Sequence, residues 1–356
     1  ERLIVREKRV TGVMTGTGAI SAGAVVLATG GLGGLYAATT NPLSSVGRGI
    51  ALAARAGALL SDLEFVQFHP TALDIGEDPA PLASEALRGD GALLLNSRGE
   101  RFMANYHPMG DLAPRDVVSR AIFSEMRRGQ KVYLDCRALD TAHFPALVAA
   151  CKRAQIDPQS GLVPVFPVAH YHMGGVATDL DGRTSVEGLW AAGEVAATGL
   201  HGANRLASNS LMEAVVMARR TAKDIARQKP RAAAMPEEPS PLPPRRPPAE
   251  CLPLRRIMTE KFGVVRDGAT MLQGLREIAE TEIAAGGDAA RADMALVARM
   301  IAVAALARTE SRGAHFRADH PAPAKAQEKR SFMTLRDIDA LTGKYLAPHR
   351  RKAGAA

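Results

Sequence analysis

Cysteine is sparse and unpaired in this sequence: Cys136, Cys151 and Cys251 are odd in number and form no Cys-x-x-Cys pair. That excludes a disulfide framework and a structural zinc site, and it fits a reducing compartment such as the cytoplasm. Aromatic residues make up 4% of the chain, too few for the stacking platforms that bind single-stranded nucleic acid. Long apolar runs are missing as well. The most hydrophobic helical stretch, Met300 to Ala307, falls far short of the roughly 20 residues of a membrane span. No signal-peptide pattern opens the chain. The formal charge of +8 is not gathered into a patch but scattered over Arg127/Arg128, Arg219/Arg220, Arg245/Arg246, Arg255/Arg256 and Arg350/Arg351. Nucleic-acid binding is therefore not expected, and the surplus suits a dianionic small molecule equally well.

A content of 46% hydrophobic and 23% charged residues is that of a globular protein, and 356 residues predict two or three compact units. Leu3 to Val13 and Ala19 to Leu27 read as a hairpin, turning at Gly16 and Gly18, that leads into a buried strand over Ala24 to Ala28. That strand ends in Gly30-Gly31-Leu32-Gly33-Gly34, where backbone can approach a ligand closely. A helix is predicted from Gly47 to Ala58. From Glu64 to His172 the texture changes to short strands, a Pro79 to Pro81 loop and an amphipathic helix from Pro114 to about Arg128, as in an inserted domain. A second buried strand, Gly188 to Ala192, ends in Gly193-Glu194, and a helix follows from about Asn209 to Arg227. Lys229 to Glu250 has the Pro-rich composition of a linker. Beyond it, Leu252 to Arg308 carries three helical patterns, with a polar tail after about Lys344.

Five polar clusters carry the chemistry. In Glu64-Phe65-Val66-Gln67-Phe68-His69-Pro70-Thr71, a strand is expected to stop at Pro70 and to present His69 at its end, as a ligand-facing or a structural imidazole. In Ser84-Glu85-Ala86-Leu87-Arg88, Glu85 and Arg88 stand three apart and can meet across a helical turn, either as a proton wire or as a surface ion pair. In Ala113-Pro114-Arg115-Asp116, Pro114 opens a helix and leaves Arg115 at its positive end, a placement that calls for an anionic partner, Asp116 or a ligand. His170-Tyr171-His172 is the fourth. The fifth, His201 to Leu211, couples Ser208 to Ser210 with the start of a long helix, which either caps it or stabilises an anion. Two histidines and two arginines near apolar strand ends together imply an anion site, because buried guanidinium groups are costly without partners.

In order and spacing these strings resemble the succinate dehydrogenase and fumarate reductase flavoprotein superfamily over nearly the whole chain, and Arg308-Thr309-Glu310-Ser311-Arg312-Gly313-Ala314-His315-Phe316 resembles its helical domain. Leu112 to Asp116, Ala169 to Tyr171 and Thr198 to Leu211 are most similar to its L-aspartate oxidase branch. The resemblance implies an α/β architecture: an FAD-binding Rossmann-like domain, present in part as residues 1–62 and 172–228, with an inserted α+β capping domain, 63–171. A linker at 229–250, a C-terminal helical bundle at 251–343 and a tail at 344–356 complete the division. It implies oxidation of L-aspartate to iminoaspartate, with oxygen or fumarate as the electron acceptor, for quinolinate and NAD synthesis, with FAD bound non-covalently and a functional link to quinolinate synthase. Fumarate reductase or succinate dehydrogenase activity, or a non-catalytic dicarboxylate-binding fragment, are the alternatives.

Carried over residue by residue, the resemblance gives substrate carboxylates to His69, Ser84, His170 and Arg205. It makes Arg115 the proton-transfer residue, fed by Glu85 and Arg88, and places Gly30, Gly31, Glu194, Ser208, Ser210 and Leu211 on the flavin. Ser84 stands where the family usually has Thr. The family's Gly-x-Gly-x-x-Gly pyrophosphate turn falls upstream of Glu1 in this comparison, which leads to the expectation that the chain by itself holds FAD weakly or not at all and is inactive.

Overall fold

In the computed structural model, which describes residues 2–232 and 251–347, the chain opens with a three-stranded antiparallel meander. Its strands are β1 (Arg2–Arg6), β2 (Arg9–Thr15) and β3 (Gly18–Ser21). The first turn is Glu7-Lys8, with φ of 47° and 65°, the left-handed pair of a two-residue hairpin. The sequence reading placed a turn only at Gly16 and Gly18, because neither Glu nor Lys signals that conformation. β4 (Val25–Leu27) follows, then helix α1 (Arg48–Arg55), β5 (Leu60–Ser61) and β6 (Val66–Leu73). The strand expected to be buried over 24–28 is corrected by this structure. β4 is three residues long and pairs, among the described residues, with one neighbour, so Val26 keeps 44% exposure.

β6 corrects a second expectation, for it does not stop at Pro70. The ladder with β9 (Val163–His172) passes from His69 opposite Val168 to Ala72 opposite Phe166, and Pro70 sits in the intervening irregularity. There its missing N–H removes no ladder bond. Between these two strands come α2 (Glu85–Gly89), β7 (Leu93–Asn96), α3 (Arg115–Arg127), β8 (Val132–Asp135) and α4 (Pro145–Arg153). The four strands make an antiparallel sheet in the order β6-β9-β8-β7.

After β9 the chain forms β10 (Gly175–Ala177), β11 (Leu189–Ala191), β12 (Ala196–Ala197) and the long helix α5 (Asn209–Gln228). β11 runs parallel to β4, and β12, β10 and β5 share a mixed sheet. The rest of the Pro-rich segment, residues 233–250, lies outside the described residues, as does the tail from 348. Helices α6 (Leu252–Lys261), α7 (Gly268–Ala284) and α8 (Ala289–Ala307) match the three helical patterns. β13 (Phe332–Met333) then pairs with β5, and α9 (Leu335–Leu346) continues past the expected start of the tail at 344.

Two cores organise these elements. One joins α1, β5, β10 and β11 to α6, α7 and the Ala-rich α8, through Ile50, Leu60, Val176, Leu189, Met258, Leu275 and Val297. The other lies within the insert and holds Leu87, Leu94, Val118, Ile122, Leu134 and Val165. β6 and β9 cross from one to the other: Val66, Phe68 and Ala169 pack in the first, and Leu73, Val163 and Val165 in the second. A strand with both faces in a core has no outward side, so all eight residues of β6 are buried, polar ones included. Burying a polar side chain requires a partner for it, and that requirement assembles the site. No helix among the described residues is long and apolar enough to cross a membrane.

Candidate functional site

The polar residues of β6 and β9 face one another at the seam. His69 is fully buried; its Nδ1 accepts the Thr71 backbone N–H at 3.2 Å, and its Nε2 has no partner among the described residues. His170 lies edge-on to it at 5.1 Å between ring centroids and bonds Thr40 Oγ1 through Nδ1 at 2.7 Å. Burial, with the charges of Arg205 and Arg115 behind it, lowers His170 to about 3. Burial and the same cationic surroundings hold His69 well below the ordinary imidazole range. Both rings are neutral hydrogen-bonding groups near pH 7.

Arg115 is the first residue of α3, with Pro114 at the cap. The sequence left Asp116 or a ligand as the anionic partner at this helix start; in the structure Glu85 takes the position, Arg115 Nε donating to Glu85 Oε2 at 2.5 Å. Asp116 turns instead to Arg120 and Asn204. Arg115 Nη1 donates to Gln67 Oε1 at 3.2 Å. Glu85 and Arg88 do not meet. α2 is a single turn, Arg88 is 3% exposed, and its Nη1 donates to the Asp111 carbonyl, while its Nε and Nη2 stay unpartnered. It is no surface ion pair, and burial lowers its pKa. Arg205, 5% exposed, stacks 4.4 Å over the Tyr171 ring and has an unpartnered Nε. Burial, and after it the charge of Arg115, lowers its pKa.

Ser84, Glu85, Arg115, His170, Arg205, Ser208, Ser210 and Leu211 line one cavity of about 620 Å³. Ser84 caps α2, its Oγ accepting the Ala86 N–H at 3.3 Å, which leaves the hydroxyl proton to donate. Ser208 is the residue before α5 at φ 64°, and its side chain makes no capping bond. Among the described residues its hydroxyl is therefore not used on the helix.

Gly30, Gly31 and Glu194 form a neighbouring group. Gly31 lies so close to Glu194 that an added Cβ would stand 2.0 Å from its Oε1, and Glu194 Oε1 accepts the His172 N–H at 2.9 Å. Burial raises Glu194 to about 7, against the opposing effects of that bond and of Arg205. Gly30 and Gly193 have φ of 72° and 74° with open space beside them. Leu206, before α5, and Leu211, Met212 and Val215, at its start, expose apolar side chains. Among the described residues no cluster of metal ligands occurs.

Gln67 is the site residue that sequence reasoning passed over. Its Nε2 donates to Asn204 Oδ1 at 3.0 Å and to the Arg205 carbonyl at 2.7 Å while its Oε1 holds Arg115. The signal was a polar amide inside an apolar strand, and it became readable only once both faces of β6 were known to be covered.

Comparison with known proteins completes the picture. A family model described as "FAD binding domain" matches residues 1–211, and one described as "Fumarate reductase flavoprotein C-term" matches 289–343. The chain is 52% identical to L-aspartate oxidase of Caulobacter vibrioides, over 88% of this chain and 60% of that protein. It is 48% identical to L-aspartate oxidase of Agrobacterium fabrum, over 100% of this chain and 69% of that one. Among solved structures, E. coli quinol fumarate reductase FrdA superposes with a TM-score of 0.78 at 30% identity, covering 93% of this chain and 67% of that one. Mycobacterium smegmatis Sdh1 gives 0.71 at 34%, covering 90% and 61%. The chain spans about three-fifths of the length of the first of these relatives.

Proposed function

Given that the chain belongs to the L-aspartate oxidase family of the succinate dehydrogenase and fumarate reductase flavoproteins, we propose that it oxidises L-aspartate to iminoaspartate with FAD as cofactor. The observation that carries this reading is the convergence of Arg115, Arg205, His170, Ser84 and Glu85 on one cavity beside Ser208, Ser210 and Leu211. Residues 1–62 and 172–228 hold the flavin in this reading, and 63–171 cover the substrate.

Arg205 and the neutral rings of His170 and His69, with the Ser84 hydroxyl, bind the two carboxylates. Arg205, on the cavity wall with an unpartnered Nε, is a donor that an anion would satisfy, and fully buried His69 stands behind His170. Bound FAD supplies the acceptor for a hydride from the substrate Cα. Arg115 handles the proton. Its Nε and Nη1 are engaged, which leaves Nη2 for the cavity. An arginine is a weak base by its reference pKa, so its role depends on Glu85, whose side chain is 38% exposed and passes protons between the guanidinium and solvent. Arg88 acts on that pair through its charge, not through a bond. Gly30, Gly31 and Glu194 receive the flavin's polar edges. An oxidase of this kind would work in the cytoplasm and pass an unstable imine to an enzyme that consumes it, such as quinolinate synthase.

The test is a flavin absorbance and turnover assay on the full-length protein with added FAD, comparing L-aspartate with succinate and fumarate. Peroxide and iminoaspartate from L-aspartate, abolished by Arg115→Leu, are expected. Turnover of succinate or fumarate alone would overturn the aspartate reading, and dicarboxylate binding with no flavin bound would overturn the oxidase reading.

A further inference from the structure

Every bond in the network that runs from Arg115 across the seam points the same way. Arg115 Nη1 donates to Gln67 Oε1, Gln67 Nε2 donates to Asn204 Oδ1, and Asn204 Nδ2 donates to Asp116 Oδ1 at 3.2, 3.0 and 2.8 Å. Asp116 closes the run with its other oxygen on Arg120 Nη2 at 2.9 Å. Neither amide can be reversed without placing donor against donor at Arg115 or acceptor against acceptor at Asp116. The carboxylate at one end therefore fixes the orientation of both amides, and each polarised amide strengthens the next bond.

The chain also branches. Gln67 Nε2 holds the Arg205 carbonyl at 2.7 Å, so a single amide sets the guanidinium of Arg115 and the backbone that carries Arg205. We propose that Asn204 and Asp116 are positioning residues for the dicarboxylate site: acting through Gln67, they hold Arg115 and Arg205 at the spacing that a four-carbon dicarboxylate requires. The inference rests on the oxidase reading above and adds to it two residues that touch neither substrate nor flavin. Asp116 lies on the insert and Asn204 on the segment before α5, so the chain ties the two parts of the site together. Arg120 extends the tie to the helical region, donating to the Gly313 carbonyl at 3.1 Å and stacking 5.0 Å over Phe316.

Loosening such a chain has a distinctive kinetic signature. Slack in Arg205 weakens carboxylate binding and raises KM; slack in Arg115 misplaces the proton-transfer group and lowers kcat. Damage to folding alone lowers the amount of active enzyme and leaves KM unchanged. The experiment measures kcat and KM for L-aspartate in the FAD-loaded wild type, in Asn204→Ala, in Asp116→Asn, which keeps the shape and removes the charge, and in the double variant.

Each single variant is expected to raise KM and lower kcat together, by on the order of ten- to a hundredfold in kcat/KM, the loss that follows a displacement of about 1 Å near the reacting groups. Because Asp116 acts through Asn204, the double variant should be no worse than Asn204→Ala. Unchanged KM in both single variants, or losses that multiply in the double one, would overturn the proposal. These proteins are all full-length, and a full-length wild type that fails to turn over L-aspartate would instead sink the oxidase reading. In that case succinate affinity, read by calorimetry on the same variants, decides the positioning role: equal affinity across all four proteins overturns it.

Discussion

Replacing Glu194 by glutamine isolates one carboxyl whose ionisation opposes folding. Burial moves this carboxyl from its ordinary 4.5 to about 7. The folded protein therefore binds the proton more tightly than the unfolded chain does. The group's contribution to stability is present in full below about pH 4.5 and is lost as the pH rises through about 7. At 1.36 kcal/mol per unit the ceiling of that loss is about 3.4 kcal/mol. The side chain is partly exposed, so solvent screening brings the expectation to about 2 to 3 kcal/mol.

Glutamine retains the oxygen that accepts the His172 N–H and never ionises. Glu194→Gln should therefore exceed the wild type by about 2 to 3 kcal/mol near pH 8.5 and match it within about half a kcal/mol near pH 4.5. Urea unfolding of the flavin-free protein measures this directly, because Trp190, the only tryptophan, is 3% exposed and bonded to Asp224 in the folded state. A stability difference between the two proteins that does not change with pH would refute the reasoning, since it would mean that Glu194 titrates alike in both states.

His170 gives the opposite slope. Lowered from 6.5 to about 3 chiefly by burial, it contributes stability that is complete above about pH 6.5 and lost as the pH falls toward 3, about 2.7 kcal/mol of it by pH 4.5. His170→Asn should remove that much acid sensitivity in urea midpoints between pH 7 and 4.5, and an unchanged acid limb would count against a neutral buried ring. Arg308 holds fully buried Glu64 at 2.5 Å and Glu310 at 2.9 Å. Arg308→Met leaves fully buried Glu64 without its cationic partner, while Glu310 keeps Arg312, and should cost about 3 to 5 kcal/mol; a loss under about 1 kcal/mol would show the pair to be dispensable.

How much of this was legible in the sequence depended on whether the signal was local. α3 and α5 were, because Pro114 marks a helix start and an apolar stripe repeats down each helix. The polar clusters were legible as residue types. Their pairings were not: at three residues' spacing Glu85 and Arg88 look like partners, yet α2 is one turn long and the partner of Glu85 is 30 residues away on α3. Likewise Gln67 looks unremarkable in its strand until β6 is seen to cross between two cores. β4 read as buried because its residues are apolar, but burial also needs neighbours on both sides, and those are not a property of three residues.

The placement of the site follows from the same crossing. A strand buried on both faces must satisfy Gln67 and His69 internally. The nearest polar groups come from α3, from β9 and from the segment before α5, which lies 138 residues away along the chain at Arg205. The partners thus gathered are largely cationic: Arg88, Arg115 and Arg205 stand with Glu85, which pairs with Arg115, and with two histidines too buried to ionise near neutral pH. Such an arrangement is unfavourable by itself, since like charges at low dielectric repel and unpartnered guanidinium nitrogens lose their hydration. A dicarboxylate offers two negative groups to this excess and a hydrogen-bond acceptor to Arg205 Nε. In the proposed reading, the fold's requirement for partners and the charge of a dicarboxylate are complementary, and the excess of buried guanidinium groups is what would select a dianion.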